Sequence, residues 1–95
     1  MVKMTENDIK KALSSMKEWS YKDNEIYKEY VFNNFMQSVK FVNIIAPVAE
    51  SVKHHPDIFI SYNKVRVALT THDEGGVTEK DIDLAKKIDS LSFLV

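Results

Sequence analysis

The chain contains no cysteine, only two glycines and two prolines, and no long hydrophobic run. Without cysteine it can form no disulfide and can use no thiolate as a nucleophile or metal ligand. The longest apolar run, residues 44–49, is interrupted by Pro47 and is far shorter than the roughly 20 residues that cross a bilayer. Its 13 basic and 14 acidic side chains leave a net charge of −1, so no direct contact with nucleic acid is expected.

What remains is the composition of a small globular protein. A chain of 95 residues predicts one domain spanning residues 1–95. A chain of this size buries only about 60 to 65% of its unfolded surface, and self-association is therefore expected. The chain becomes polar by Thr5 and its first residues lack the apolar stretch of a secretory signal. A location in the cytoplasm is therefore expected.

Hydrophobic periodicity and turn residues predict three helices and four strands. The predicted helices are residues 5–16, residues 35–53 and a last helix that begins at Thr78, and the predicted strands are residues 19–22, 25–32, 58–62 and 64–71. Pro47 is expected to bend the second helix or to break it in two. Because hairpins occur without βαβ spacing, the order α-β-β-α-β-β-α predicts an α+β fold, a two-layer sandwich with a four-stranded antiparallel sheet and helices on one face.

All three histidines, His54, His55 and His72, lie in one short part of the chain that also holds both glycines. Imidazole titrates near neutral pH, so a group of histidines is a candidate proton-transfer site. Glu50 and His54 are four residues apart on the predicted second helix, where a carboxylate can orient the ring.

Each of these residues also has a plainer interpretation. The histidine pair can be a helix end that interacts with the helix dipole, and His72 can be an exposed loop residue. Asp81 can be only the N3 residue of a helix cap that begins at Thr78. A different hypothesis is that Glu50, His54 and His72 are the ligands of a zinc ion.

The spacing of these residues, taken together, resembles that of the pterin-4a-carbinolamine dehydratases, also known as the dimerisation cofactor of a homeodomain transcription factor. The matching positions are Glu50, His54, His55, Pro56, Tyr62, His72 and Asp81. The likeness continues in Tyr-Asn-Lys-Val at 62–65, Leu-Thr-Thr-His at 69–72 and Gly-Val-Thr-Glu-Lys-Asp-Ile at 76–82. It also includes the aromatic residues Tyr30, Phe32 and Phe35.

The resemblance implies loss of water from 4a-hydroxytetrahydropterin (4a-hydroxytetrahydrobiopterin), giving quinonoid dihydropterin in tetrahydrobiopterin recycling. It implies no metal and no cofactor, since the pterin is the substrate. It further implies a homodimer or homotetramer that forms through sheet edges and helix packing. A protein partner is a further expectation, by analogy with the transcription-cofactor role, and a protein that acts only through its binding surface is the main alternative.

Roles for single residues follow from the same resemblance. His54 and His72 are expected to donate and accept the protons, while His55 binds the pterin and assists as a base. Glu50 is expected to hold the pterin or a neighbouring imidazole, and Asp81 to orient His72. Pro56 would shape the pocket.

Two positions depart from the family pattern. Ile58 stands where many members have tryptophan, so any aromatic stacking from that position is missing. Pro47 in the second helix is also not typical of the family.

Overall fold

One four-stranded antiparallel sheet, with three helices on one of its faces, forms the fold in a computed structural model that describes residues 2–95. The elements follow the order α1 (Glu6–Leu13), β1 (Ser20–Lys22), β2 (Glu25–Val31), α2 (Phe35–Val52), β3 (Asp57–Ser61), β4 (Lys64–Leu69) and α3 (Glu79–Leu91). Short 3-10 turns lie at His72–Glu74 and Ser92–Leu94. The strand order is β1-β2-β4-β3, and each neighbouring pair is antiparallel. The predicted α+β fold and element order are confirmed.

The inner face of the sheet is set by the pairing of its two central strands. Ile26 pairs with Leu69 and Tyr30 pairs with Val65, and all four side chains are buried under the helices. Residues opposite each other in an antiparallel sheet point to the same side, and successive residues alternate. Tyr27 therefore points to the uncovered face, which decides the orientation of the first hairpin.

Helix α2 buries a different stripe from the one that its apolar residues suggest. Asn34 caps the helix through the N–H of Gln37, and the buried positions are Ser38, Phe41, Ile45 and Ala49. Phe35, although it is apolar, is 51% exposed. Ser38 can lie on the buried face because its hydroxyl donates a hydrogen bond to the carbonyl of Tyr62, in the turn between β3 and β4.

Pro47 does not break α2 in two, contrary to one of the two outcomes expected for it, because the helix continues from Phe35 to Val52. Pro47 and Asn43 both lie on the exposed side of the helix. Water can therefore bond to the Asn43 carbonyl that the proline leaves without an N–H donor. Among residues 2–95, no helix is both long enough and apolar enough to cross a membrane.

The C-terminal part of α3 is attached to the sheet by one carboxylate. Asp89 accepts hydrogen bonds from the indole of Trp19 (2.9 Å), the ammonium of Lys28 (2.9 Å) and the hydroxyl of Tyr30 (2.5 Å). Burial, followed by the hydrogen bond to Asp89 and the charge of that carboxylate, raises the pKa of Tyr30 far above its usual range. These three contacts join α3 to β2 and to the residue that precedes β1.

Candidate functional site

The end of α2 determines where two of the histidines lie. The N–H of Lys53 donates to the carbonyl of Glu50, and the N–H of His54 donates to that of Ala49. This pair of bonds is a Schellman motif, in which Lys53 adopts the left-handed conformation at φ 54°. The chain therefore reverses before His54, so the prediction that His54 lies on the helix one turn after Glu50 is wrong.

The start of α3 places a carboxylate under the same region. Thr78 and Asp81 form a capping box, in which Asp81 Oδ2 accepts from the Thr78 N–H at 2.9 Å. Asp81 is completely buried, and its other oxygen, Oδ1, contacts His54 Nε2. The cap that the sequence predicts is present, and the same carboxylate also holds an imidazole.

The third histidine reaches the site from the end of β4. The strand stops at Leu69, and His72 begins the 3-10 turn His72–Glu74. Thr71 closes this loop by pairing with Gly76 through two backbone hydrogen bonds, of 3.0 and 3.3 Å. The two-residue alternation of β4 therefore ends before His72, and the loop decides where that side chain lies.

A cleft of about 290 Å³ brings the three histidines together. Its walls are formed by the end of α2, the segment that follows β4 and the start of α3. The lining residues are Lys53, His54, His55, Thr70, Thr71, His72, Asp73 and Lys80. Pockets for small ligands are typically about 300 Å³ or larger, so this cleft is close to the size that one bicyclic ring needs.

Glu50 and Asp81 contact imidazoles other than the ones predicted for them. Glu50 Oε1 contacts His55 Nε2 at 2.5 Å and does not hold His54. Asp81 contacts His54 and does not orient His72. The reversal at Lys53 turns His54 away from α2 and towards α3, where Asp81 contacts it.

Burial distinguishes the two carboxylate–imidazole pairs. The His54 side chain is 11% exposed over a fully buried Asp81, whereas the side chains of His55 and Glu50 are 60% and 76% exposed. An ion pair in water contributes little because solvent screens it and the side chains lose rotational freedom. His54 is therefore the imidazole whose orientation the protein fixes.

Glu50 and Pro56 lie beside the histidine cleft, outside its walls. They line a neighbouring groove of about 160 Å³ that His55 shares with the cleft. Ile58, at the position of the family's tryptophan, also lines this groove. Tyr62 lies in the β3–β4 turn at φ 52° and is 65% exposed, so it belongs to neither cavity wall.

The zinc hypothesis has no support from the donor arrangement. In the described part of the chain, no three His, Asp or Glu side chains are grouped closely enough to hold a metal ion. Glu50 contacts His55, and Nε2 of His54 is already engaged by Asp81. Glu50, His54 and His72 therefore do not form a common ligand set.

Hydrogen bonding assigns the ring nitrogens. When the carboxylate of Asp81 is the acceptor of this contact, the proton between the two groups lies on Nε2 of His54. Nδ1 is then the nitrogen of His54 that is left to exchange a proton with a ligand. A buried acceptor that orients an imidazole in this way is a common feature of acid–base sites.

Five residues that line the cleft are absent from the predicted site: Lys53, Thr70, Thr71, Asp73 and Lys80. Thr71 directly precedes His72, Lys53 directly precedes the histidine pair, and Lys80 directly precedes Asp81. Their position next to predicted site residues is one signal in the sequence, and Thr71 and Lys80 also lie in the segments 69–72 and 76–82 that resemble the family. Threonine and lysine are common on any surface, so residue type alone does not point to them.

Comparison with known sequences gives matches along almost the whole chain. The family model described as pterin 4 alpha carbinolamine dehydratase matches residues 2–91. A relative from Sulfurisphaera tokodaii is 53% identical over 91 residues, which cover 96% of this chain and 98% of the relative. One from Picosynechococcus is 51% identical over 89 residues, which cover 94% and 97%. Both are provisionally named pterin-4-alpha-carbinolamine dehydratase.

Solved structures show the same fold. A Brucella melitensis protein described as a transcriptional coactivator/pterin dehydratase superposes with a TM-score of 0.90 at 36% identity, covering 95% of this chain and 98% of that one. A pterin dehydratase-like protein, described as a RuBisCO assembly factor in the alpha-carboxysome, gives a TM-score of 0.64 at 23% identity. That match covers 78% of this chain and 86% of the other, and it is a likeness of fold.

Proposed function

Because the chain belongs to the pterin 4 alpha carbinolamine dehydratase family, we propose that it removes water from 4a-hydroxytetrahydropterin and releases quinonoid dihydropterin. The observation that carries this proposal is the cleft that gathers His54, His55 and His72 above a buried carboxylate. The proposed substrate is 4a-hydroxytetrahydrobiopterin, the proposed role is tetrahydrobiopterin recycling, and the proposed compartment is the cytoplasm.

The reaction requires two proton movements and no transfer of electrons to another molecule. The C4a–O bond breaks, and the departing hydroxyl group takes a proton and leaves as water. The N5–H proton is lost while the N5 electron pair forms the C4a=N5 double bond. Two positioned groups that titrate near neutral pH can perform both proton transfers, and each typically increases the rate by about 10² to 10⁴-fold. We propose that neither a metal nor a cofactor takes part.

Each histidine has a proposed task in this scheme. His54 and His72 act as the proton donor and acceptor, because they approach the cleft from two different elements. His55 binds the pterin and assists as a base, and Glu50 holds the His55 ring. Asp81 orients His54, which replaces its predicted task at His72.

Pro56 and Ile58 have a proposed task in binding. Both line the groove that adjoins His55, so they shape the region next to the bound ring. Ile58 provides a branched aliphatic contact there and does not supply the aromatic stacking on the pterin that a tryptophan would.

The test follows the decay of chemically generated 4a-hydroxytetrahydropterin with the wild-type protein, His54→Ala and His72→Ala. The wild type should accelerate decay, and each substitution should lower kcat by about 10² to 10⁴-fold. Cooperative unfolding should persist in both variants, because neither ring is part of the hydrophobic core. Lys64→Ala is the control, since Lys64 is exposed and points to the uncovered face of the sheet.

Absence of acceleration by the wild-type protein would end the dehydratase proposal and favour a protein that acts through its binding surface. Loss of cooperative unfolding in either histidine variant would instead assign that ring to the fold.

Self-association is proposed from two exposed apolar regions. Strand β3 is an edge of the sheet, where Phe59 is 64% exposed and Ile60 is 38% exposed. Phe35 and Met36, at the start of α2, are 51% and 74% exposed. An unpaired edge with apolar side chains favours pairing with another strand, so we propose a homodimer or homotetramer. A monomeric mass in analytical ultracentrifugation at assay concentrations would contradict this.

The same surfaces could instead receive a different protein, by analogy with the transcription-cofactor role of the family. Balanced charge gives no reason to expect nucleic acid as a direct partner.

A further inference from the structure

We propose that Thr71 is a positioning residue for this site: its hydroxyl fixes the carboxylate of Asp81 and, through it, the ring of His54. The inference rests on the proposed function for its kinetic consequence. The orientation of the ring can be measured without any substrate.

The two oxygens of Asp81 have separate tasks. Oδ2 accepts from the Thr78 N–H at 2.9 Å and from the Thr71 hydroxyl at 2.8 Å, while Oδ1 contacts His54. A capping box requires only the first of these bonds. The bond from Thr71 comes from a different element, and two donors on one oxygen hold the carboxylate plane so that the other oxygen is directed at the imidazole.

The direction of the hydroxyl bonds follows from the available protons. Thr78 Oγ1 accepts from the N–H of Lys80 at 3.3 Å and lies 2.9 Å from Thr71 Oγ1. Thr71 donates its single hydroxyl proton to Asp81 Oδ2, so the proton in the contact between the two threonine hydroxyls comes from Thr78. The chain of donors therefore runs from Thr78 through Thr71 to the carboxylate.

Thr71 also connects the two histidines that carry the proposed proton transfers. Its backbone is held by Gly76 on both its N–H and its carbonyl, and the next residue is His72. One hydroxyl thus joins the segment that carries His72 to the carboxylate that carries His54. Loss of this hydroxyl should change the relative position of the two rings without removing either of them.

The experiment uses Thr71→Val, which replaces the hydroxyl by a methyl group of similar size, and Thr71→Ser, which keeps the hydroxyl. Ser38→Ala is the matched control, because it also removes a hydroxyl that donates a hydrogen bond within the protein. Ser38 is fully buried, Thr71 is half-buried, and the Ser38 hydroxyl bonds to the Tyr62 carbonyl away from the cleft. Long-range ¹H–¹⁵N spectra of the His54 ring report which nitrogen carries the proton when the ring is neutral. Steady-state kinetics on 4a-hydroxytetrahydropterin give kcat and KM.

In the wild type, Thr71→Ser and Ser38→Ala, the neutral ring of His54 should carry its proton on Nε2. In Thr71→Val the spectrum should show a mixture of the two tautomers. In the same variant kcat should fall about tenfold or more, while KM should change less than about threefold. The reason is that the loss of a residue that orients another typically lowers activity about 10 to 100-fold. Thr71→Ser should restore most of kcat.

An unchanged tautomer together with wild-type kcat in Thr71→Val would overturn the proposal. An equal loss of kcat in Ser38→Ala would also overturn it, because general destabilisation would then explain the effect. If Thr71→Val does not fold, Thr71→Ala removes the same hydroxyl and takes its place. A tautomer change in a protein whose wild type shows no dehydratase activity would support the positioning role and reject the proposed reaction.

Discussion

Helix α3 carries two aspartates that accept several hydrogen bonds each, one at either end. Asp81 accepts from the N–H of its own helix cap and from Thr71, and it contacts His54 beside a cleft. Asp89 accepts from Trp19, Lys28 and Tyr30, all of which belong to the sheet or the segment before it. The number of donors is the same at both ends, but the kind of donor differs.

Under the proposed function, this difference separates a carboxylate that serves chemistry from one that serves stability. Imidazole changes its charge near neutral pH, whereas indole, ammonium and phenol do not. A carboxylate that fixes an imidazole at the wall of a cleft can control proton transfer to a ligand. One that binds three groups with no titration near neutral pH holds two elements together.

The sharpest test of this contrast is Asp81→Asn. The amide oxygen can still accept from the Thr78 N–H, so the helix cap should remain. An amide group that faces His54 no longer keeps the proton on Nε2, and kcat should fall by about 10² to 10⁴-fold, as for a catalytic histidine held in the wrong tautomer. Kinetics on 4a-hydroxytetrahydropterin measure the loss, and Asp89→Asn serves as the control. A kcat within threefold of wild type would remove Asp81 from the site.

At the other end of α3, Asp89→Asn should affect stability and leave kcat per folded molecule unchanged. The side chain of Lys28 is only 12% exposed, and its ammonium loses an anionic partner, while at least one of the three hydrogen bonds is weakened. The free energy of unfolding should fall by about 2 kcal/mol, the usual cost of leaving such a charged group with a poorer partner. Urea denaturation measures this fall. A loss of kcat larger than the loss of folded protein would contradict the division between the two ends.

Tyr30, which donates to Asp89 at this end of α3, should make the stability of the protein depend on pH. Because its pKa is raised in the folded state, the unfolded chain loses the phenolic proton first, at about pH 10. The contribution of Tyr30 to stability is therefore complete below pH 10 and is lost as pH rises further, by about 1.4 kcal/mol per pH unit. Urea denaturation between pH 8 and about 11 should show this slope in the wild type and a smaller slope in Tyr30→Phe. Equal slopes would exclude Tyr30 as the cause.

Local patterns were sufficient to predict the fold. Asp23 and Asn24, between the first two strands, adopt positive φ values of 54° and 63°, which Asp and Asn tolerate in tight turns. Thr5, Asn34 and Thr78 cap the three helices. These features depend on residues within a few positions of each other, so a sequence shows them directly. The buried stripe of α2 was harder to predict, because Ser38 is inside for the sake of a distant carbonyl.

The sequence predicted that the three histidines lie together, but it did not predict which carboxylate each of them contacts. The three histidines line one cleft, and Asp81 lies beneath His54. Counting residues along an ideal helix paired Glu50 with His54, but the helix ends at Val52 and a lysine in the left-handed conformation reverses the chain. Residue type gave no sign of this reversal, because glycine and not lysine is the usual residue at such a position.

The order of residues alone determined that this protein forms hairpins and capped helices and that its three imidazoles lie close to the ends of regular elements. Which carboxylate meets which imidazole, and that Thr71 joins the two halves of the cleft, was decided only when α2, β4 and α3 packed together. The physical reason is that periodicity and capping act over a few residues. The distance between Asp81 and His54 depends instead on how one helix ends and on the place of another against the sheet.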